Sequence, residues 1–196
     1  MSGDPVALPG LAVIAVGLLA FLVALLAARR RSGGEQRGNA TRSRRSMVGI
    51  AVQGVAIMAA AFGPIRVTLD PLSPKALIEA GVSAALMVVT VGLFVWASRA
   101  MGRNWSIVAR TRDDHQLVDT GPFAYLRHPI YTALFLLMIA FAIAYGHTPR
   151  LLLAIPLYAL GTWLRISEEE RLLRTMFGER YDAYAARVKR FVPGVF

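Results

Sequence analysis

Charge is missing from five stretches of this chain, and their lengths set the architecture. Pro5–Ala28 runs 24 residues without Asp, Glu, Lys or Arg, Ser46–Ile65 runs 20, Ala80–Ser98 runs 19 and His128–Pro149 runs 22. A helix crosses the bilayer core with roughly 18–20 consecutive apolar residues, so each window predicts a membrane span. Leu151–Leu164 gives only 14. Arg150 and Arg165 flank it, and their aliphatic stems lengthen an apolar segment by snorkelling. It is expected as a fifth span paired with the fourth, and Pro156 inside it predicts a kink or an unsatisfied carbonyl. The fold class that follows is an all-α integral membrane protein of about five transmembrane helices, with short interfacial helices at the C-terminus.

Composition narrows the class. With 196 residues, 56% of them hydrophobic, the chain is too apolar for a soluble domain and reads as one membrane domain with small polar extensions. The first apolar run follows Asp4 with no preceding Lys or Arg, and it exceeds the roughly 7–15 residues of a signal-peptide core, so a retained first helix is expected. Cysteine is absent, which excludes disulfides and thiolate chemistry. The three histidines, at positions 115, 128 and 147, show no ligand spacing on one element, so no metal is expected.

A net charge of +10 would suggest nucleic acid in a soluble protein, but its distribution points to the membrane. Of 22 Lys and Arg, seven fall in Arg29–Arg45, five in Arg99–Arg127 and seven from Arg165 onward, leaving only Arg66, Lys75 and Arg150. In a five-span arrangement all but those three share one face, which the positive-inside rule makes cytoplasmic. The expected setting is the plasma membrane of a bacterium, N-terminus outside and C-terminus inside. The Gly-, Ser- and Arg-rich loop 29–45 reads as solvated, with contact to anionic headgroups as the alternative. Two units are expected: residues 1–98 with the first three spans and this loop, and residues 99–196 as the site-bearing core with spans four and five and the terminal helices.

Polar residues cluster at the mouths of the fourth and fifth spans, where they are costly beside hydrocarbon and therefore suggest a site. Gly121-Pro122 marks a turn. Pro129 suits the first position of a helix, with His128 as its cap. The free N–H groups of that first turn, beside Arg127, suit a carboxylate or phosphate; an interfacial Arg with aromatic anchors is the plainer alternative. Glu168-Glu169-Glu170 follow the fifth span. Consecutive helical positions point about 100° apart, so the three cannot all face one ligand; the alternative is an acidic first helical turn. Gly178 is read as a helix break, and Tyr181, Tyr184 and Val188 as one face of an interfacial amphipathic helix.

In order, Trp105-Ser106, His115-x-Leu117-Val118, Gly121-Pro122-Phe123, Arg127-His128-Pro129-x-Tyr131, Glu169-Glu170-x-x-Leu173, Phe177-Gly178, Tyr181 and Pro193 resemble the isoprenylcysteine carboxyl methyltransferase family, a branch of a larger group with phospholipid N-methyltransferases. The resemblance covers roughly residues 100–193. It departs from the family at Phe123, often Tyr there, and at Ala133, often Gly; Glu168 is an acid beyond the matched pair. The Arg-His-Pro-x-Tyr element alone is also similar to integral-membrane sterol reductases, but no Gly-x-Gly-x-x-Gly nucleotide loop exists here.

The resemblance implies an integral membrane methyltransferase that uses S-adenosylmethionine on a lipophilic acceptor, among membrane lipids and without nucleic acid or metal. The implied cofactor-binding residues are His115, Leu117, Val118, Gly121, Tyr125, Arg127, His128, Pro129, Tyr131, Glu169 and Glu170, with Arg127, His128, Tyr131 and Glu169 as the catalytic set. Arg127 and the helix start at Pro129 are assigned to the cofactor's carboxylate, and Glu169 or Glu170 to its ammonium or ribose hydroxyls. Tyr131 or Tyr125 is assigned to the sulfonium by cation–π attraction. His115 and His128 are assigned to hydrogen bonds with the cofactor or to a proton from an amine nucleophile. Methyl transfer from a sulfonium is an in-line displacement that asks the protein mainly for alignment. The alternatives are a phospholipid N-methyltransferase, a reductase, and a non-catalytic membrane scaffold or carrier.

Overall fold

A computed structural model describes residues 3–32, 43–102, 117–192 and 194. His115, Trp105 and Ser106 fall outside the described residues, as do positions 33–42 of the Arg-rich loop. The five charge-free windows become five helices: α1 (Leu8–Arg31), α2 (Arg44–Ala61), α3 (Pro74–Met101), α4 (Pro129–Ala144) and α5 (Leu151–Phe177), followed by a short α6 (Glu179–Arg187). Three helical runs, Leu8–Arg31, Pro74–Met101 and Thr148–Phe177, are long and apolar enough to cross a membrane. α4 is more apolar than these but has 16 residues, and α2 spends two of its 18 on Arg44 and Arg45.

The helix starts follow local chemistry. Ser43 caps α2 by accepting the Ser46 N–H, and Ser73 caps α3 by accepting that of Ala76, with Pro74 in the first helical position; each satisfies a donor that a helix start leaves free. Arg29, Arg30 and Arg31 close the last turn of α1, where cations favour the helix dipole.

α1 lies along α3, with the Phe21 and Phe94 rings 4.8 Å apart and Arg31 donating to Ser98 Oγ at 3.1 Å. α3 lies along α4, where Thr90 Oγ1 donates to the Ala133 carbonyl. The fifth helix does not pair chiefly with the fourth, as expected, but runs antiparallel along α2. Arg45 lies against Trp163, Gly49 against Gly161 and Arg165, Gln53 against Thr162, and Ala56 and Ala60 against Ala154 and Tyr158. The reason is backbone approach. A Cβ on Gly161 would stand 2.8 Å from the Gln53 nitrogen and 2.9 Å from the Gly49 oxygen, and one on Gly49 would stand 2.8 Å from the Gly161 oxygen. Small residues of this kind select helix partners where lipid removes the hydrophobic drive to associate.

α5 also outlasts its apolar window, continuing to Phe177. Glu168, Glu169 and Glu170 therefore sit inside one long helix and are not the first turn of a new one. Pro156 lies early in that helix, which continues through it. Gly178, at φ 51°, takes a conformation that costs glycine little and ends the helix as expected. Tyr181 and Tyr184 then turn inward and are buried against Leu117; they are not anchors at a lipid interface.

At the other end of the bundle, Pro5–Val6 (β1) pairs in parallel with Arg66–Val67 (β2). Asp4 N–H donates to the Gly146 carbonyl at 2.8 Å. The buried His147 ring sits between the carbonyls of Ala60 and Pro64, 3.3 Å from each. These strands, two residues each, are too short to leave a hydrophobic alternation.

Gly161→Val is expected to destabilise the protein by about 1–3 kcal/mol through overpacking. Gly54→Val, on α2 but with no neighbour within 4 Å, is expected to change stability by less than about 0.5 kcal/mol. Melting midpoints of both variants in one detergent test this, and equal shifts would refute the close glycine contact.

Candidate active site

The site forms where the start of α4, the middle of α5 and the chain after α6 converge. The approach to α4 is set by a 3₁₀ turn, Gly121–Ala124. Gly121 has φ 61°, and a Cβ there would lie 3.1 Å from the Ala100 Cβ and 3.2 Å from Trp96 Nε1. His128 occupies the cap position of α4 with Pro129 after it, as expected, but its side chain makes no cap bond. Its ring reaches α5 instead.

Glu170 is the centre of the charge network. Its side chain is 3% exposed, yet three cationic or donor groups converge on it. His128 Nε2 donates to Oε1 at 3.1 Å, Arg190 donates from Nε and Nη2 at 3.0 and 2.9 Å, and Arg127 Nη1 lies 3.5 Å away. The backbone repeats the connection: the N–H groups of Arg127 and His128 donate to the carbonyls of Lys189 and Arg190. The bonds to Glu170 raise the Arg190 pKa further. The carboxylate that Arg127 and His128 meet is thus the protein's own.

Glu169, one residue earlier, points elsewhere. It accepts the Tyr131 hydroxyl. Arg165 Nη2 stands 3.9 Å from the same Oε1, and His128 Nδ1 stands 3.8 Å from Oε2. Tyr131 is held in turn, its carbonyl accepting from Tyr158 at 2.7 Å and its ring lying 4.8 Å under the Arg165 guanidinium. Glu168 leaves the site altogether and takes Arg171 in a two-pronged pair at 2.8 and 3.1 Å.

A cavity of about 110 Å³ opens beside Glu169, lined by Met101, Leu117, Val118, Phe123, Arg127, His128, Glu169, Leu173, Tyr181 and Tyr184. Of the expected site residues, Leu117, Val118, Arg127, His128 and Glu169 line it. Tyr131 and Glu170 stand behind that wall, and Gly121 and Pro129 shape the backbone that carries it. Tyr125 is 60% exposed, with its ring against Trp96. The cavity's tyrosine rings belong to Tyr181 and Tyr184, which the sequence placed at an interface although their i, i+3 spacing marks a common face. Arg190 carries no such signal, because 20 residues separate it from Glu170.

Among the described residues, two buried atoms of cavity-lining side chains, Arg127 Nε and Tyr181 Oη, have no hydrogen-bond partner within 3.5 Å, although the Arg127 guanidinium lies near enough to the Tyr181 hydroxyl to act on its pKa. Burial pushes the Tyr181 hydroxyl up to about 12, with the Glu170 charge adding and Arg127 opposing. Burial likewise raises Tyr184, whose hydroxyl donates to the Phe123 carbonyl at 2.8 Å. Both phenols therefore remain neutral at physiological pH. Among the described residues, no three of His, Asp and Glu gather into a cluster that could hold a metal ion.

Residues 78–180, more than half of the chain, match the family described as phospholipid methyltransferase. The chain is 32% identical over 119 residues to the protein-S-isoprenylcysteine O-methyltransferase of Schizosaccharomyces pombe, covering 57% of this chain and 49% of that one. It is 33% identical over 94 residues to the enzyme of the same name from Tribolium castaneum, covering 46% and 32%. It is also 34% identical over 114 residues to a nickel-cobalt-cadmium resistance protein of Alcaligenes xylosoxydans, covering 57% and 52%. The chain thus spans about half, or less, of the length of these curated relatives.

Glu170→Gln is expected to cost about 3–5 kcal/mol, because removing one partner of a buried ion cluster strands the others. Glu168→Gln leaves only Arg171 without its charge partner, and because that guanidinium is 62% exposed and can be hydrated the loss is expected to be smaller than for Glu170→Gln. Unfolding in detergent at neutral pH measures both, and the reverse order of the two losses would contradict the network.

Proposed function

The chain belongs to the phospholipid methyltransferase family, the group that holds the isoprenylcysteine carboxyl methyltransferases, and we propose that it transfers a methyl group from S-adenosylmethionine to a lipophilic acceptor. One observation carries this reading: a carboxylate (Glu169), an arginine (Arg127) and a neutral phenol (Tyr181) meet on the wall of a mostly apolar cavity at the end of membrane helices. A cofactor with a carboxylate, an ammonium and a sulfonium suits that set. Arg127 keeps Nε available for the carboxylate while Nη1 leans on Glu170, and Tyr181 adds a neutral donor beside it. Glu169 is the side chain for the ammonium or a ribose hydroxyl. Phe123, Tyr181 and Tyr184 supply the aromatic surface, since the Tyr131 ring already carries Arg165 and Tyr125 faces away.

The roles separate by burial. Arg127, His128 and Glu169 touch the ligand; Tyr131 orients Glu169, and Glu170 orients Arg127 and His128 from behind. Leu117 and Val118 give apolar cover, with Gly121 and Pro129 setting the backbone. His115 completes the set that the family resemblance implies. The cavity is smaller than the roughly 300–1,000 Å³ of most ligand pockets, so the described lining suits the amino-acid end of the cofactor. When bound, S-adenosylmethionine supplies an activated methyl group, and the protein's work is to align the acceptor with it and exclude water. Residues 99–196 form the cofactor-binding core in this reading, with residues 1–98 as its helical support. The distribution of basic residues supports a C-terminus and site at the cytoplasmic face of a bacterial plasma membrane, with the N-terminus outside.

The names of the relatives favour a prenylcysteine-like carboxylate as acceptor. The family description keeps phospholipid amine methylation as the second reading, and labelled methyl transfer into a prenylcysteine panel and into phosphatidylethanolamine separates the two. Titration calorimetry of the full chain with S-adenosylhomocysteine tests the cofactor site. Arg127→Lys and Glu169→Gln, each withdrawing a charge-assisted contact, are expected to weaken binding about tenfold or more. Wild-type affinity in both folded variants would remove the assignment.

A further inference from the structure

Gln53 lies nine residues beyond the start of α2, about 14 Å along the helix axis, and is 3% exposed. It precedes the family match at residues 78–180. A buried primary amide among apolar helices is costly unless it is bonded, and inside a membrane helix it suggests function. Gln53 is bonded at both ends. Its Nε2 donates to Thr162 Oγ1 at 2.7 Å, and its Oε1 accepts from Arg165 Nη1 at 3.0 Å. Arg165 then spans the gap to the site: its guanidinium covers the Tyr131 ring at 4.8 Å, and Nη2 stands 3.9 Å from Glu169. The backbones are matched to this bond. Gly49 and Gly161 permit the close approach of α2 and α5, and Gln53 and Arg165 each sit four residues after one of them, one turn along.

We propose that Gln53 is a positioning residue, which sets Arg165 and through it the orientation of the Glu169–Tyr131 pair on the cavity wall. The amide oxygen takes one arm of the guanidinium, which leaves the other directed at Glu169. The guanidinium can only donate, so it requires the amide oxygen, and Thr162 Oγ1, which can donate or accept, takes the amide nitrogen at the other end. Without this acceptor the guanidinium is drawn further onto Glu169 and competes with a cationic ligand for that carboxylate. The proposal rests on the reading of Glu169 as a ligand-facing group.

The test uses the full chain in detergent, with S-adenosylhomocysteine affinity and melting midpoint measured on every variant. Gln53→Leu is expected to weaken affinity about tenfold, the effect of one hydrogen bond to a charged group. Gln53→Glu keeps an acceptor for Arg165 and is expected to stay within about threefold of wild type. Ala154→Leu disturbs the α2–α5 contact at its far, apolar end and is expected to lower the melting midpoint with affinity unchanged. In the double variant Gln53→Leu, Glu169→Gln, the two losses are expected not to add, since both act on one group. If Gln53→Leu does not fold, Gln53→Asn, which draws the amide back from Arg165, takes its place.

Weakened Glu169→Gln beside an unchanged Gln53→Leu overturns this proposal alone and leaves Gln53 as a helix contact. Equal losses in Gln53→Leu and Gln53→Glu overturn it as well. Wild-type affinity in Glu169→Gln overturns the reading on which it rests, and the proposal with it.

Discussion

The site depends on one buried carboxylate. Glu170 is sealed from solvent and would be untenable there unless its charge were met; Arg127, His128 and Arg190 meet it from two other segments of the chain. That requirement fixes α4's first turn, α5 and the residues after α6 relative to one another more tightly than the few contacts between α4 and α5 would. Removing a charge from such a cluster costs more than the cluster contributes over an apolar substitute, so its value lies in specificity of arrangement. Once Glu170 is committed, the next carboxylate back along the helix is turned about 100° away and comes to the cavity.

The second constraint is the solvent. Lipid offers helices no hydrophobic reason to associate, so packing and polar contacts decide the partners. Along α2 and α5 both are present: glycine faces bring the backbones together, and Gln53, Thr162 and Arg165 bond across the seam. This explains how α5 can carry Arg165 and three glutamates while its first half remains apolar. Within the polar half Arg165, Glu168 and Glu170 turn toward α2 and the site, while Arg171 and Arg174 stay exposed. The same seam joins the N-terminal helices to the cavity, which would otherwise be the work of the C-terminal half alone.

The sequence pattern disclosed the helices because charge-free length is a local property, and caps such as Ser43 and Ser73 sit beside the runs they begin. It singled out Arg127, His128 and Glu169, which line one cavity in the structure, because the cluster lies at the mouths of those runs. It misjudged the partner of the fifth helix, since Gly49 and Gly161 acquire meaning only when they face each other. It ended that helix too early, because a change from apolar to charged residues marks a change of environment and not of backbone. Arg190 stayed hidden for want of any local spacing, and Tyr181 and Tyr184 were assigned to lipid because an amphipathic stretch does not say which surface its aromatic face meets. Which of the three glutamates enters the cavity was likewise a tertiary fact, decided by what Arg127, His128, Arg190 and Arg171 take away.

The restraint on Glu169 bears on the proposed chemistry. A carboxylate beside an activated methyl group is both a good ligand for a cation and a possible nucleophile. Hydrogen bonding from Tyr131 withdraws electron density from one oxygen, and the Arg165 charge lies near the same atom. A carboxylate so engaged retains its electrostatic attraction for an ammonium, while its lone pairs are less available for attack and its orientation is held. The acceptor then meets the methyl group without a competitor from the protein. Tyr158 extends the restraint by holding the Tyr131 backbone, and Gln53 by holding Arg165. In the proposed chemistry the polar residues that run into the apolar bundle behind Glu169 therefore serve one end: a carboxylate that would bind the cofactor without reacting with it.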